Sequence, residues 1–277
     1  MKTITEQVLI YDKDCPFCNW YTGAFIRSGF LSENGRLPYT TAIEDPSLSF
    51  DRELSRNKIA LVDRQTGRVL YGVDSLLSVL GNRFQWIRKA GALPGIHFFL
   101  RGFYSFVSYN RKVIAPSDCV ANCGCAPSSS IPWRLTFIVF CGLVVNIATG
   151  LYFSQQLERW FIGNAVYTDL ILFSSQFLFQ YLVFRLLKQP NFSDYAGNLA
   201  FVSLLGGLLL VFFHFGLNVL SAAGMNVELL QPLCYGIVYM FMLHEHARRL
   251  KLLHLTKWLT VSWIIFRLLI YPFAFIV

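Results

Sequence analysis

The pattern of apolar and polar positions changes character near residue 130. Before that point apolar residues come in short runs separated by charged and turn residues. Gln7–Tyr11, with Val8, Leu9 and Ile10 at its centre, reads as a first strand. It stops at Asp12-Lys13-Asp14. An amphipathic stretch follows from Cys15: Trp20, Phe25 and Ile26 give 19–28 a partly apolar face, and Gly29 suits the end of a helix. Residues 36–43 form a candidate second strand and 51–55 a short helix. Residues 59–62 and Val69–Tyr71 flank Asp63-Arg64-Gln65-Thr66-Gly67, a hairpin signal, and 73–80 then reads as a helix ending at Gly81. Beyond residue 132 such breaks become rare. Apolar runs occupy 133–153, 166–187, 196–222, 229–244 and 256–277, and most reach the roughly 20 residues that a membrane-spanning helix requires. The expectation is an α/β N-terminal domain followed by an all-α transmembrane helical bundle of about five spans.

Composition and charge sharpen that division. Of 277 residues, 55% are hydrophobic and 14% charged. The mean hydropathy of +0.47 is too high for a soluble chain. The first 132 residues carry 15 of the 24 Lys and Arg and 11 of the 16 Asp and Glu. The expected organisation is a first domain over 1–125, a Pro- and Ser-rich linker over 126–132, and a transmembrane domain over 133–277. Residues 1–7 lack the apolar core of a signal peptide, which puts the first domain in the cytosol. The second and fourth connections between the apolar runs carry Arg185 and Lys188, then Arg248, Arg249, Lys251 and Lys257, whereas the first and third carry only Arg159. Basic residues stay inside, so the N-terminus is expected inside and the C-terminus outside, in a bacterial plasma membrane.

Residues 83–112 add a surface to the first domain. Arg83, Arg88, Lys89, Arg101, Arg111 and Lys112 alternate with Phe84, Trp86, Phe98, Phe99, Phe103 and Tyr109, with no acid among them and a break at Pro94-Gly95. Basic and aromatic residues mixed in this way suit contact with membrane lipid. They equally suit a helical layer on a sheet with a solvated basic edge. The adjacent membrane domain accounts for the charge, so no nucleic-acid partner is expected.

The chemistry is concentrated in Asp12-Lys13-Asp14-Cys15-Pro16-Phe17-Cys18. The strand–loop–helix order puts Cys15 at a helix N-terminus, where unpaired backbone N–H groups and the helix dipole favour a thiolate. Pro16 fits the first helical turn. Cys15 is therefore the candidate nucleophile. Cys18, one turn on and on the same face, would resolve a mixed disulfide. Nearby carboxylates raise a thiol's pKa, but Asp12 would also serve to accept the Cys18 proton during exchange. Phe17 makes the loop partly apolar, as suits docking against a disulfide.

This stretch resembles the DCC family of thiol-disulfide oxidoreductases, marked by Asp-x-x-Cys-x-x-Cys after an N-terminal strand; Asp12, Cys15 and Cys18 stand on the three marked positions. The resemblance extends to Lys58-Ile59-Ala60-Leu61-Val62-Asp63, to Tyr71-Gly72-Val73-Asp74-Ser75-Leu76 and, more loosely, to residues 103–111, so it covers about the first 125 residues. Lys13 stands where the family usually has Gly, and no proline precedes the Lys58 strand. The resemblance implies a thioredoxin-like N-terminal domain, catalysis by Cys15 and Cys18 with Asp12, and no organic cofactor.

Cys119, Cys123 and Cys125 put three more thiols into seven residues, as a second redox station, a metal site shared with Cys15 and Cys18, or inert reduced thiols. Cys141 and Cys234, in separate apolar runs, read as core residues. Polar residues in the apolar half (Asn146, Gln176, Gln180 and Asn218) read as interhelical hydrogen-bonding or interfacial groups, as His214 also can, Asp169 or a carbonyl as a partner for Arg267, and His244 and His246 as cytoplasmic-edge residues with some capacity to bind a metal, haem or quinone headgroup. The expected function is a membrane-bound thiol-disulfide oxidoreductase acting on a protein or small-molecule thiol or disulfide. The alternative is a thiol-rich metal-binding assembly or chaperone protein.

Overall fold

The computed structural model describes residues 4–117, 125, 127–157 and 168–274. The chain divides into two compact units, Met1–Trp133 and Arg134–Val277.

In the first unit, β1 (Gln7–Tyr11) is central. It pairs in parallel with β2 (Arg36–Pro38), Leu9 opposite Arg36, and antiparallel with β3 (Ala60–Asp63), Val8 opposite Val62. The antiparallel β4 (Val69–Tyr71) completes the order β2-β1-β3-β4. Successive side chains on a strand point to opposite faces. Val8 and Ile10 therefore pack with Tyr39, Ala42, Ala60 and Val62 on one side, while Leu9 packs with Leu31, Ile59, Leu61 and Val79 on the other. A strand covered on both faces has no polar side to display, which is why β1 is written as an unbroken apolar run.

The helices are α1 (Pro16–Arg27), α2 (Tyr39–Ala42), α3 (Arg52–Asn57), α4 (Val73–Arg83), α5 (Gln85–Gly91) and α6 (Pro94–Ile114). Three depart from the sequence-based boundaries for local reasons. The second strand ends at Pro38, which cannot donate to a ladder and instead precedes the short α2. Asp51 caps α3 by accepting from the Leu54 N–H at 2.9 Å, so the helix runs on to Asn57. Gly81 lies inside α4 instead of ending it: a Cβ there would stand 2.6 Å from the Arg88 Cβ, so the glycine lets α4 and α5 approach. Pro94 opens α6 as one 21-residue helix.

α6 is fastened to the β3 side of the sheet by polar contacts. The Ile59 N–H donates to the Tyr104 hydroxyl at 2.9 Å, and the Ser108 hydroxyl donates to the Asn57 carbonyl. Ser75, from α4, donates to the Leu70 and Ile59 carbonyls at 2.7 and 3.2 Å.

The second unit contains α7 (Ile131–Gln156, which begins in the first unit), α8 (Thr168–Leu186), α9 (Phe192–Ala222), α10 (Leu230–Leu252) and α11 (Trp258–Ala274). The expected thioredoxin-like domain plus five-span bundle is not what the chain forms. The described residues are dominated by helix, the sheet is small and mixed, and only α7 and α9 are long and apolar enough to cross a membrane. The count fails because an apolar run and an apolar helix are different objects. Among the described residues the apolar stretches of α8 and α11 are Leu170–Leu186 and Trp258–Leu269, shorter than those of α7 and α9. α10 continues past its apolar run through Glu245, His246, Arg248 and Arg249, and Pro232 sits harmlessly in its first turn.

Those charges are held by partners. Glu245 accepts from Arg248 and Arg249 at 2.7 Å, and Arg249 donates to Asn198 of α9 at 2.7 Å. Arg134 of α7 pairs with Asp194 of α9 at 3.0 Å. His246 bonds Tyr195 at 3.2 Å and Thr260 at 3.0 Å, so it is a cross-helix tie. Gln180 accepts from Tyr195 and Ser262, and His214 bonds Asn218. Arg267 lies over the Trp263 ring, 5.4 Å from its centroid, while its expected partner's side chain, Asp169, is outside the described set.

Replacing Tyr104 with Phe leaves the Ile59 N–H without its acceptor beneath α6. The expected cost is about 1–3 kcal/mol. It is read as a lowered denaturant midpoint of the full chain and faster hydrogen exchange at the Ile59 amide.

Candidate thiol site

The site is assembled where β1 ends. Asp12 turns the chain: its Oδ1 accepts the Asp14 N–H at 3.1 Å and its carbonyl accepts the Cys15 N–H at 3.3 Å. Cys15 then caps α1, with extended backbone (φ −90°, ψ 112°) and its Sγ accepting the Cys18 N–H at 3.4 Å. A thiolate serves there as the side-chain oxygen of Ser or Asp serves at ordinary N-caps. Pro16, which has no N–H to satisfy, is the first helical residue.

Arg111 reaches this loop from near the end of α6. Its Nη2 lies 3.0 Å from Asp12 Oδ2, and both residues are only 5% exposed. The same nitrogen donates to the carbonyls of Arg56, at 3.0 Å, and Cys125, at 2.5 Å, and lies 3.9 Å from the Cys125 sulfur. The Cys125 thiol in turn donates to the Ser55 carbonyl at 3.7 Å. The structure thus brings together Asp12, Cys15, Cys18 and Cys125. Cys119 and Cys123 lie outside the described residues. Cys141 and Cys234 are buried free thiols of the second unit. Among the described residues no three His, Cys, Asp or Glu side chains group as a metal-binding set.

The two thiols of the motif are driven apart electrostatically. A hydrogen bond from the Cys18 thiol holds Cys15 down to about 7 against the opposing effect of burial; the Cys18 N–H and the Arg111 charge act in the same direction. Cys18, as the donor of that bond and itself buried, is raised and stays protonated. Burial pushes the Cys125 thiol up to about 12, with Arg111 opposing. Burial also raises the Tyr21 hydroxyl, and the neighbouring Cys18 adds to it. Near neutral pH Cys15 therefore passes from thiol to thiolate beside a protonated Cys18, and thiolate with adjacent thiol is the protonation state from which a dithiol is oxidised or a disulfide is released. The pair is not open to solvent: Cys15 is 4% and Cys18 9% exposed.

A cavity of about 540 Å³ opens beside Cys18. Its polar end is formed by Asp12, Arg111, Cys18, Cys125, Ser55 and Ser108, and its walls are aliphatic and aromatic side chains of α1, α4, α5 and α6. Sequence reasoning placed Arg111 in a basic, aromatic stretch suited equally to lipid contact or to a helical layer with a solvated basic edge, and missed its role here. The only trace of that role is its position in the last turn of a helix, since the residue it neutralises lies 99 positions earlier.

Arg111→Met leaves Asp12 buried without its partner. The expected loss is about 3–5 kcal/mol of unfolding free energy by denaturant titration, and adding Asp12→Asn should recover part of it. The rate of Cys15 alkylation should titrate with a midpoint near pH 7, against the ordinary 9. Between those two values the unfolded chain binds the extra proton. The Cys15 contribution to stability is therefore present above pH 9 and lost as pH falls through 7. No family model, curated protein or solved structure matches this chain, so the geometry of the site is what bears on its function.

Proposed function

We propose that the chain is a membrane-bound thiol-disulfide oxidoreductase. The observation that carries this reading is the Cys15 sulfur as N-cap of α1, accepting the Cys18 N–H, with Cys18 protonated beside it. Cys15 is the nucleophile. It attacks one sulfur of a substrate disulfide, giving a mixed disulfide and releasing a thiolate. Cys18 then attacks the Cys15 sulfur, forms the Cys15–Cys18 disulfide and expels the second substrate thiolate. The Cys18 proton leaves during that second step. Asp12 stands near enough to affect it, but its pairing with Arg111 makes it a positioning residue that fixes the loop and holds Arg111 beside the thiols. The resemblance of Asp12, Cys15 and Cys18 to the DCC motif agrees with this assignment.

Two helices, α7 and α9, are long and apolar enough to cross a membrane, which supports membrane association. The exposed aromatic residues of α5 and α6, Trp86, Phe98, Phe99 and Phe103 among them, suit contact with lipid.

The test is thiol exchange by the full chain in detergent. Cys15→Ser should abolish exchange. Cys18→Ser should still attack a disulfide but accumulate as a mixed disulfide on Cys15, visible by mass spectrometry. Exchange that survives Cys15→Ser would remove the proposal.

A further inference from the structure

Burial of Cys15 and Cys18 poses a problem of access, and the cavity answers it. Cys18 lines the cavity, whereas Cys15 does not. A molecule small enough to enter therefore reaches Cys18 without any opening of the fold. We infer that this cavity binds a lipophilic quinone, whose ring lies against Cys18 and is reduced by the Cys15–Cys18 dithiol. This inference names the electron acceptor of the proposed oxidoreductase and rests on that reading, with the exchange running in the thiol-oxidising direction: a substrate dithiol reduces the Cys15–Cys18 disulfide by the reverse of the steps above, leaves as a disulfide, and supplies the two electrons that the quinone then takes.

Four features select a quinone over other small molecules. The cavity has the size of a ligand site, and its walls are apolar almost throughout. Its polar end carries no net charge, because Asp12 and Arg111 cancel, so neither a carboxylate nor an ammonium head is favoured. Arg111 lines the cavity, and its buried Nε has no hydrogen-bond partner among the described residues, so its guanidinium keeps an unused donor at the polar end, suited to an uncharged carbonyl oxygen. Phe17, Tyr21, Phe25, Phe103 and Tyr104 offer ring faces and edges to a flat head, while Leu76, Leu77, Leu80, Ile87, Leu100 and Val107 offer branched apolar surface to a tail.

The way in is lined to match. Phe103 is a cavity wall and is also 58% exposed, in line with Phe99 at 69%. Their rings stack at 6.5 Å, and the exposed apolar surface continues through Ile96 and Leu93. An apolar face running directly into an apolar cavity is a path for a molecule dissolved in lipid. The unit is covalently continuous with α7, a helix of membrane-spanning length.

The redox step balances as follows. The Cys15 thiolate takes the Cys18 proton along their shared hydrogen bond as the Cys18 sulfur bonds to a ring carbon, and that proton then passes from Cys15 to the ring oxygen, which restores the Cys15 thiolate. The Cys15 thiolate attacks the Cys18 sulfur: the S–S bond forms, the S–C bond breaks, and its electron pair stays on the ring. The resulting hydroquinone monoanion takes one proton from water. The dithiol is oxidised by two electrons and the quinone is reduced by two.

The experiment uses the full chain in bilayer nanodiscs with the pair reduced. The probe is a 2,3-dimethoxy-5-methyl-1,4-benzoquinone carrying a decyl tail; quinone absorbance and the Cys15–Cys18 disulfide are read together. The expected result is one quinone reduced per disulfide formed. Leu100→Trp, which fills the cavity, should lower the quinone rate at least about ten-fold relative to the rate with oxidised glutathione. Should that variant not fold, the wild-type chain still decides. The same ring without its tail should need at least about ten times the concentration for half-maximal rate. Oxidation by glutathione but not by the quinone overturns the inference and leaves the dithiol reading standing, as does a rate indifferent to the tail or to Leu100→Trp. A pair that neither reagent oxidises overturns both.

Discussion

The buried ion pair between Asp12 and Arg111 is the constraint on which the first unit's site depends. Two charges removed from water are costly unless the geometry is good and the remaining donors are occupied. Here the pair is 3.0 Å apart, and the guanidinium also reaches the carbonyls of Arg56 and Cys125. One side chain thus ties the turn after β1, the end of α3, the last turns of α6 and Cys125. Removing either charge leaves the other stranded, whereas replacing both removes the penalty along with the bond. The pair also sets the electrostatics of the neighbourhood. Arg111 lowers Cys15, and Asp12 cancels enough of that charge for the cavity end to remain neutral.

Cys15 and Cys18 show how position alone separates two identical side chains. Cys15 is outside the helix and receives hydrogen bonds; Cys18 is inside it and gives one. The first becomes a thiolate near neutral pH and the second remains a thiol. Such a pair is commonly expected to face solvent, but here both thiols are covered. The cavity, and not bulk solvent, stands beside Cys18. A dry approach protects the thiolate from bulk oxidants and favours reaction with whatever fits the cavity.

The second unit is held together by a different economy. Many of its polar side chains meet across helices: Arg249, itself paired with Glu245 one turn back, with Asn198; Tyr195 with Gln180 and His246; Gln156 with Asn218. Where backbones approach closely, small residues allow it, as at Gly207, which faces Ala148 and Val145. These ties explain why α10 continues as a helix through a cluster of charges, where hydropathy alone would have ended it.

The sequence by itself determined the local chemistry. The run Val8-Leu9-Ile10 as a strand, Pro16 as a helix start, the cap position of Cys15 and the hairpin at Asp63–Gly67 all follow from neighbours within a few residues, because strand burial, proline geometry and capping are short-range effects. What spans the chain was not legible. The pairing of residue 12 with residue 111, the arrival of Cys125 beside them and the cavity between α1, α4, α5 and α6 exist only once the helices are packed on the sheet. The number of membrane-length helices was misread for the same reason. Hydropathy counts apolar residues along the chain, whereas helix boundaries and the partners of buried charges are set by tertiary contacts.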